Sequence, residues 1–396
     1  MSDPSASRPE IRVRLFGRTD VGQIREHNED NFLVADLTRR SRSLLEGDRE
    51  QVLGEWGSAF GVCDGMGGAA AGEIASQLAV DIIYEKLVQG DPPREHDDLA
   101  RRLVRAVEEA GARIFNEARA DRTRRGMGTT ATIAALMDSR LFVAQVGDSR
   151  AYILRGSRLV QVSRDQSLVN QLIEAGQLTE EEAETFEHNN IILQALGTAE
   201  TVQVDLTYVD LEQGDRLLLC SDGLSGMVRG DELKEVLLAC QDPLEACREL
   251  TDRANRAGGH DNITVIVVDF LGAGLAPANS SSELAYRKYA LPEIQADSTH
   301  RALPVSTSVP AAPASEEAQR ESRRLKVGHT MVGLQFSLPE AAAAADEAGA
   351  ASLTPRPPLL DEPVDIPTSG LPPSFVGFMV LGAMILVAVA GFYLLR

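Results

Sequence analysis

Basic residues are scarce in this 396-residue chain: 39 Lys and Arg stand against 59 Asp and Glu, a formal net charge of -20. Residues 1–272 carry 47 acids and only 30 bases. Nucleic acid is therefore excluded as an expected partner, because phosphate backbones are bound by basic surfaces. Cysteine is also sparse. Cys63, Cys220, Cys240 and Cys247 sit in apolar or helical contexts with no CxxC pair, which argues against a disulfide framework or a zinc knuckle and for reduced thiols. The start, "MSDPSASRPEIRVRLFG", lacks the apolar core of an export signal, so the bulk of the chain is expected in the cytoplasm.

Long apolar runs are missing as well, with one exception. Phe375 to Leu395, "FVGFMVLGAMILVAVAGFYLL", holds no charge over 21 residues, long enough for a helix to cross a bilayer core. The preceding residues, 273–373, are rich in Ala, Pro, Ser and Glu without sustained periodicity, as expected of a disordered tether. The chain thus divides into an unstructured arm (1–10), a compact unit (11–272), a linker (273–373) and a transmembrane helix (374–396).

Within the compact unit, alternation over 132–163 predicts short antiparallel strands joined as a meander, with turns at Asp-Ser-Arg, Gly-Asp-Ser-Arg and Arg-Gly-Ser-Arg. Helices are predicted at about 71–89, 98–119, 231–240 and 243–256. The second carries Leu99, Leu103, Val107, Ala110 and Ile114 on one face. Strand blocks alternating with helix pairs point to packed antiparallel sheets with helices outside.

Asp64 follows an apolar run in "FGVCDGMGGAAAGE" and is followed by glycines. A phosphate cradle would need G-x-G-x-x-G or a Lys-bearing loop, and neither pattern is present. Three further aspartates stand at predicted strand ends: Asp222 in "LLLCSDGLSGM", Asp261 in "AGGHDNITVIVV", and Asp30 downstream of Arg25 in "QIREHNEDNFLV". A single Asp-Gly is ordinarily a turn. Four convergent carboxylates are costly without a compensating cation.

The pieces R25-E-H-N-E-D30, D64-G-M-G-G, G128-T-T, G147-D-S-R, S221-D-G and G259-H-D-N262, in this order over about residues 11–270, resemble the metal-dependent type 2C protein serine/threonine phosphatases. The resemblance implies an α-β-β-α sandwich, an α+β fold of two packed antiparallel sheets flanked by helices. It also implies a two-ion Mn²⁺ or Mg²⁺ site. Asp64 would bridge the ions, the Gly65 carbonyl would complete one shell, Asp222 and Asp261 would hold the other ion, and Asp30 would lie at the edge, partly through water. Arg25 would grip the phosphate. Asp148 resembles the position some bacterial relatives use for a third ion, with a hairpin-turn aspartate as the competing reading.

All-oxygen ligands suit hard cations, and two such ions can activate a water for in-line attack on phosphorus. The implied substrates are phosphorylated proteins, with a Ser/Thr kinase as the opposing partner at a membrane. A tethered module that binds phosphoproteins without turnover is the alternative. Ser225 in "GLSGM" fails the nucleophile-elbow pattern at Met227, Cys63 and Cys220 read as core residues, and His27 and His260 lack partners at zinc-ligand spacing. The chain departs from the family at Met66 and Ala69, where relatives carry a histidine. Gln166, Asn189 and Gln194, in the segment resembling the family's mobile flap, replace common His and Arg residues.

Overall fold

The apolar runs become the strands of two sheets in a computed structural model of the chain, which describes residues 9–42, 49–67, 71–184, 186, 190–278 and 284–292. In chain order the first half comprises β1 (Arg12–Asp20), β2 (Asn31–Asp36), β3 (Glu50–Val52), β4 (Ser58–Cys63), β5 (Gly65–Met66), α1 (Ala71–Leu87), α2 (His96–Ala120), β6 (Gly128–Thr129), β7 (Ala131–Met137) and β8 (Arg140–Val146). There follow β9 (Arg150–Arg155), β10 (Arg158–Gln161), α3 (Leu168–Glu174), α4 (Glu180–Glu184), β11 (Asp205–Asp210) and β12 (Arg216–Cys220). The last are α5 (Asp222–Ser225), α6 (Gly230–Ala239), α7 (Pro243–Arg256), β13 (Ile263–Leu271) and β14 (Arg287–Lys288).

One sheet has the order β10-β9-β12-β13-β1-β3, the other β14-β11-β8-β7-β4-β2, and β5 pairs with β6 in a small separate ladder. Pairing within them is antiparallel. The sandwich expected from the resemblance is the fold found. Both faces of each sheet are covered, which explains why the strands read as continuous apolar runs. In β13, Ile266, Val268 and Phe270 pack between the sheets against Leu15, Phe60 and Leu217. The alternate residues, Ile263, Val265 and Val267, pack with Leu233 and Leu250 of α6 and α7. On the opposite side Ile83 of α1 and Leu103 and Val107 of α2 pack with Leu33 and Phe142 of the second sheet. All five apolar residues foreseen on one face of α2 are buried.

The expected meander over 132–163 is corrected. β7 pairs with β8 and β9 with β10, but the two hairpins belong to different sheets. Residues 147–149 carry the chain across the sandwich. Buried side chains hold that crossing: Gln145 Nε2 donates to the Gly147 and Ser149 carbonyls at 3.0 and 2.8 Å, and Thr132 Oγ1 donates to Ser149 O at 2.9 Å. A flat four-stranded meander would have left apolar residues of both hairpins without a second layer.

The fold also reaches past the boundary expected at 272. Leu275 and Leu284 are buried in the inter-sheet core, β14 extends the second sheet beside β11, and Tyr289 packs edge-on against Phe142 and Tyr208. The Tyr289 hydroxyl donates to Asp97 at the start of α2. The low periodicity of 273–292 hid these anchors, since the large apolar residues there recur with neither a helical nor a strand period. The membrane span expected at 375–395 lies outside the described residues; among those described, no helix is long and apolar enough to cross a membrane.

Truncation measures this extension. Burial of a leucine side chain contributes about 1.5–3 kcal/mol, so a chain ending at 272 is expected to melt at least about 5 °C below one ending at 292. Equal melting temperatures would show that residues 273–292 contribute nothing to the domain.

Candidate active site

Sheet register decides which strand-end aspartates meet. Asn31 of β2 faces Cys63 of β4, so Asp30 and Asp64, the next residue on each strand, stand side by side. Cys220 of β12 faces Val265 of β13, and Ser221 N donates to Thr264 O at 3.1 Å. Asp222 therefore emerges as the first residue of α5 beside the turn that carries Asp261. Asp148 comes from the crossing between the sheets, which removes the hairpin-turn reading.

Hydroxyl groups hold the carboxylates in place. Asp30 is 4% exposed. Its Oδ2 accepts from Ser221 Oγ at 2.8 Å and Thr264 Oγ1 at 2.7 Å, which fastens the edge of one sheet to the central strands of the other. The Asp64 backbone is fixed by the Gly128-Thr129-Thr130 motif. Asp64 N donates to Thr130 Oγ1 at 2.9 Å, while Asp64 O accepts from Thr130 N and Thr129 Oγ1, each at 2.8 Å. Gly65 has no room for a side chain: a Cβ there would fall 2.3 Å from Gly72 O and 2.5 Å from Glu29 O.

The electrostatics follow from burial and like charge. Burial pushes Asp30 up to about 7, and Asp222 and Asp261 push in the same direction, while the Thr264 and Ser221 hydroxyls oppose them. Asp148 is pushed up to about 7 by burial and then by Asp222 and Asp165. Asp64 is held well above the usual carboxylate range by burial, then by Asp30, Asp222 and Asp148. Asp222 is raised by burial and Asp261, against a hydrogen bond with Asp64. Five carboxylates thus feel one another at one end of the sandwich.

Three of their oxygens, Asp30 Oδ1, Asp148 Oδ1 and Asp222 Oδ1, are buried without a hydrogen-bond partner among the described residues. Buried acceptors left in that condition are rare in folded proteins, and an all-oxygen set of this kind fits a hard divalent cation. Among the described residues, no three His, Cys, Asp or Glu side chains are drawn in as a ready-made ligand shell. Asp64 instead shares its hydrogen bond with Asp222, and Asp261 is engaged by Arg25.

Arg25 sits on an exposed loop and donates from Nη2 to Asp261 Oδ2 at 2.7 Å. That pairing was not legible in the sequence, since the residues are 236 positions apart. Asn262 binds the two loops together: its Oδ1 accepts from Glu29 N at 2.8 Å, and its Nδ2 donates to Val21 O at 3.0 Å and His27 O at 2.9 Å. His27 and His260 are exposed. Cys63 and Cys220 are buried with their thiols pushed up by burial, Cys220 to about 12, so neither is a nucleophile at neutral pH.

Gln166 and Gln194 interact directly. Gln194 Nε2 donates to Gln166 Oε1 at 3.0 Å, and Gln166 Oε1 also accepts from Gly147 N at 3.0 Å. These amides tie both ends of the flap-like segment to the crossing that carries Asp148. Asn189 and Ala69 lie outside the described residues. Sequence reasoning missed Ser221, Thr264, Thr130 and Asn262 as supports; the available signal was a hydroxyl or amide adjoining an aspartate motif, or one hydroxyl on the inward face of "ITVIVVDF".

The sequence profile described as Protein phosphatase 2C matches residues 39–257. The serine/threonine phosphatase stp of Listeria innocua is 35% identical over 252 residues, covering 64% of this chain and 94% of that protein. The crystal structure of the Mycobacterium tuberculosis serine/threonine phosphatase PstP/Ppp matches with a TM-score of 0.56 at 34% identity, covering 65% of this chain and 98% of that one. The PstP catalytic domain in complex with two manganese ions matches with a TM-score of 0.55 at 33% identity, covering 66% and 99%. With this sandwich, and with a profile match across more than half its length, the chain belongs to the protein phosphatase 2C family. It is a protein serine/threonine phosphatase.

The Asp30 anchor can be tested. Thr264→Val removes one of two donors to a buried carboxyl group and is expected to lower unfolding free energy by about 1–3 kcal/mol, read from urea denaturation. An unchanged midpoint would show that Ser221 alone suffices.

Proposed function

We propose that this phosphatase hydrolyses phosphoserine and phosphothreonine esters with two divalent cations, Mn²⁺ or Mg²⁺. The reading rests on the convergence of buried aspartates with unpartnered oxygens at one end of the sandwich. Asp64, the Gly65 carbonyl, Asp222 and Asp261 would hold the ions, with Asp30 beside them and Asp148 at a third position. Bound ions supply Lewis acidity to the attacking water and to the phosphoryl oxygens.

The remaining steps belong to the chain's own groups. Arg25 is half-exposed beside Asp261, and its planar fork suits a phosphate dianion. The inert, buried thiols and the absence of a nucleophile elbow favour direct attack by water over a covalent phosphoenzyme. The hydroxyls of Ser221 and Thr264 keep Asp30 oriented, and Thr129 and Thr130 keep the Asp64 backbone in register. For placement, the apolar stretch Phe375–Leu395 supports a single membrane anchor. The four unpaired cysteines support a reducing, cytoplasmic side for residues 1–373. A Ser/Thr kinase at the same membrane is the proposed opposing partner.

Release of phosphate from a phosphothreonine peptide is expected to require added Mn²⁺ or Mg²⁺ and to be abolished by Asp222→Asn. Full activity after exhaustive dialysis against EDTA would overturn the metal reading. Arg25→Ala is expected to raise KM for the peptide while calorimetry still detects Mn²⁺ binding; lost Mn²⁺ binding would instead make Arg25 a support for Asp261.

A further inference from the structure

One surface of this acidic domain is basic. From Glu117 to Arg125 the chain reads "EARADRTRR", four arginines and two acids, across the end of α2 and a single 3-10 turn at Arg122–Arg124. Both acids are already engaged. Arg124 lies 3.3 Å from Glu117 and 3.5 Å from Asp121, and Arg113 also reaches Glu117 at 3.5 Å. Asp121 further accepts from Thr123 N at 2.9 Å and Thr123 Oγ1 at 2.6 Å.

Arg119, Arg122 and Arg125 are exposed and have no carboxylate partner among the described residues; Arg119 lies over the Phe115 ring at 5.6 Å. With Phe115, Gly126 and Thr198 they line an open groove of about 680 Å³. Three unpaired guanidinium groups around one concavity attract anions, and the fork geometry of each matches a carboxylate.

The groove adjoins the active site through backbone. β5 and β6 pair Gly65 with Thr129 and Met66 with Gly128. Gly67 then packs against Gly126, which lines the groove, and against Met127: a Cβ would fall 2.9 Å from Met127 Cα and 3.2 Å from Gly126 O. Gly67 is three residues from Asp64, a reach of at most about 11 Å. An extended polypeptide covers that distance in about three residues, and the step from Gly67 across Gly126 to Arg125 adds about one or two more.

We propose that this groove binds acidic side chains of the phosphoprotein substrate, about three to five residues from the phosphorylated Ser or Thr. The proposal rests on the site assigned above, and it adds a preference that the catalytic aspartates cannot supply. Exposed ion pairs are individually weak and screened by salt, so several arginines acting together give a preference of roughly three- to tenfold.

The test uses the full chain with Mn²⁺ and three phosphothreonine peptides: acidic residues three to five positions before the phosphothreonine, the same residues after it, and a neutral twin. Wild type is expected to favour one acidic peptide over the neutral one by about three- to tenfold in kcat/KM, through KM. The double variant Arg122→Ala, Arg125→Ala is expected to lose that preference at an unchanged melting temperature, and the pair Arg122→Glu, Arg125→Glu to reverse it. No preference in wild type, or one that survives both variants, overturns the groove. Fluorescence anisotropy of the same peptides carrying unmodified Thr reads the groove without turnover. Binding of an acidic peptide that is lost in the Glu variant supports the groove even if no peptide is hydrolysed, an outcome that would sink the proposed chemistry instead; absence of binding by wild type overturns the groove.

Discussion

Like charges are forced together at one end of this sandwich, and much of the local structure exists to hold them there. Asp30, Asp64, Asp148, Asp222 and Asp261 arrive from separate loops, and burial together with mutual repulsion raises four of them above the usual carboxylate range. Left to itself such a cluster would spread or collect protons. A rigid scaffold prevents the spreading: each aspartate adjoins a strand buried on both faces, or the crossing between two such strands, and a one-residue slip would exchange the side chains packed between the sheets with those packed under the helices.

Local hydrogen bonds then set the finer positions. The hydroxyls of Ser221 and Thr264 join Asp30 to the opposite sheet, and Thr129 and Thr130 clamp the Asp64 backbone. The same Thr129 exchanges backbone hydrogen bonds with Leu196, at 3.0 and 2.8 Å, at the end of the flap-like segment. Thr129 therefore joins the end of that segment to the Asp64 backbone. The two glutamines in this segment have a comparable effect at Asp148, because both anchor to the 147–149 crossing or to each other. Gln166 and Gln194 thus supply a neutral, directional tie at that crossing.

Much of the architecture was legible from pattern. The helix at Ala71–Leu87 and the face of α2 follow from apolar spacing, and α7 begins where Asp242 caps Leu244 N with Pro243 next, as N-terminal helix signals predict. The aspartates were legible as a set because each follows or precedes an apolar run. Three features were not. The crossing at 147–149 looks like any short turn, since a tight turn within a sheet and a passage between sheets use the same residues. The anchors at Leu275, Leu284 and Tyr289 follow no period that would reveal them. The Arg25–Asp261 pair joins residues at opposite ends of the domain.

By itself, then, the sequence determined the elements, the fold class and the membership of the acidic set, because alternation and Asp-Gly turns are local properties written in neighbouring residues. Only the tertiary structure decided which carboxylates touch, which hydroxyls restrain them, and where three arginines without a carboxylate partner among the described residues gather around a groove at Gly126. Those facts depend on strand register and on sheet crossing. Both are fixed by the burial of side chains far apart in the chain, which no local pattern encodes.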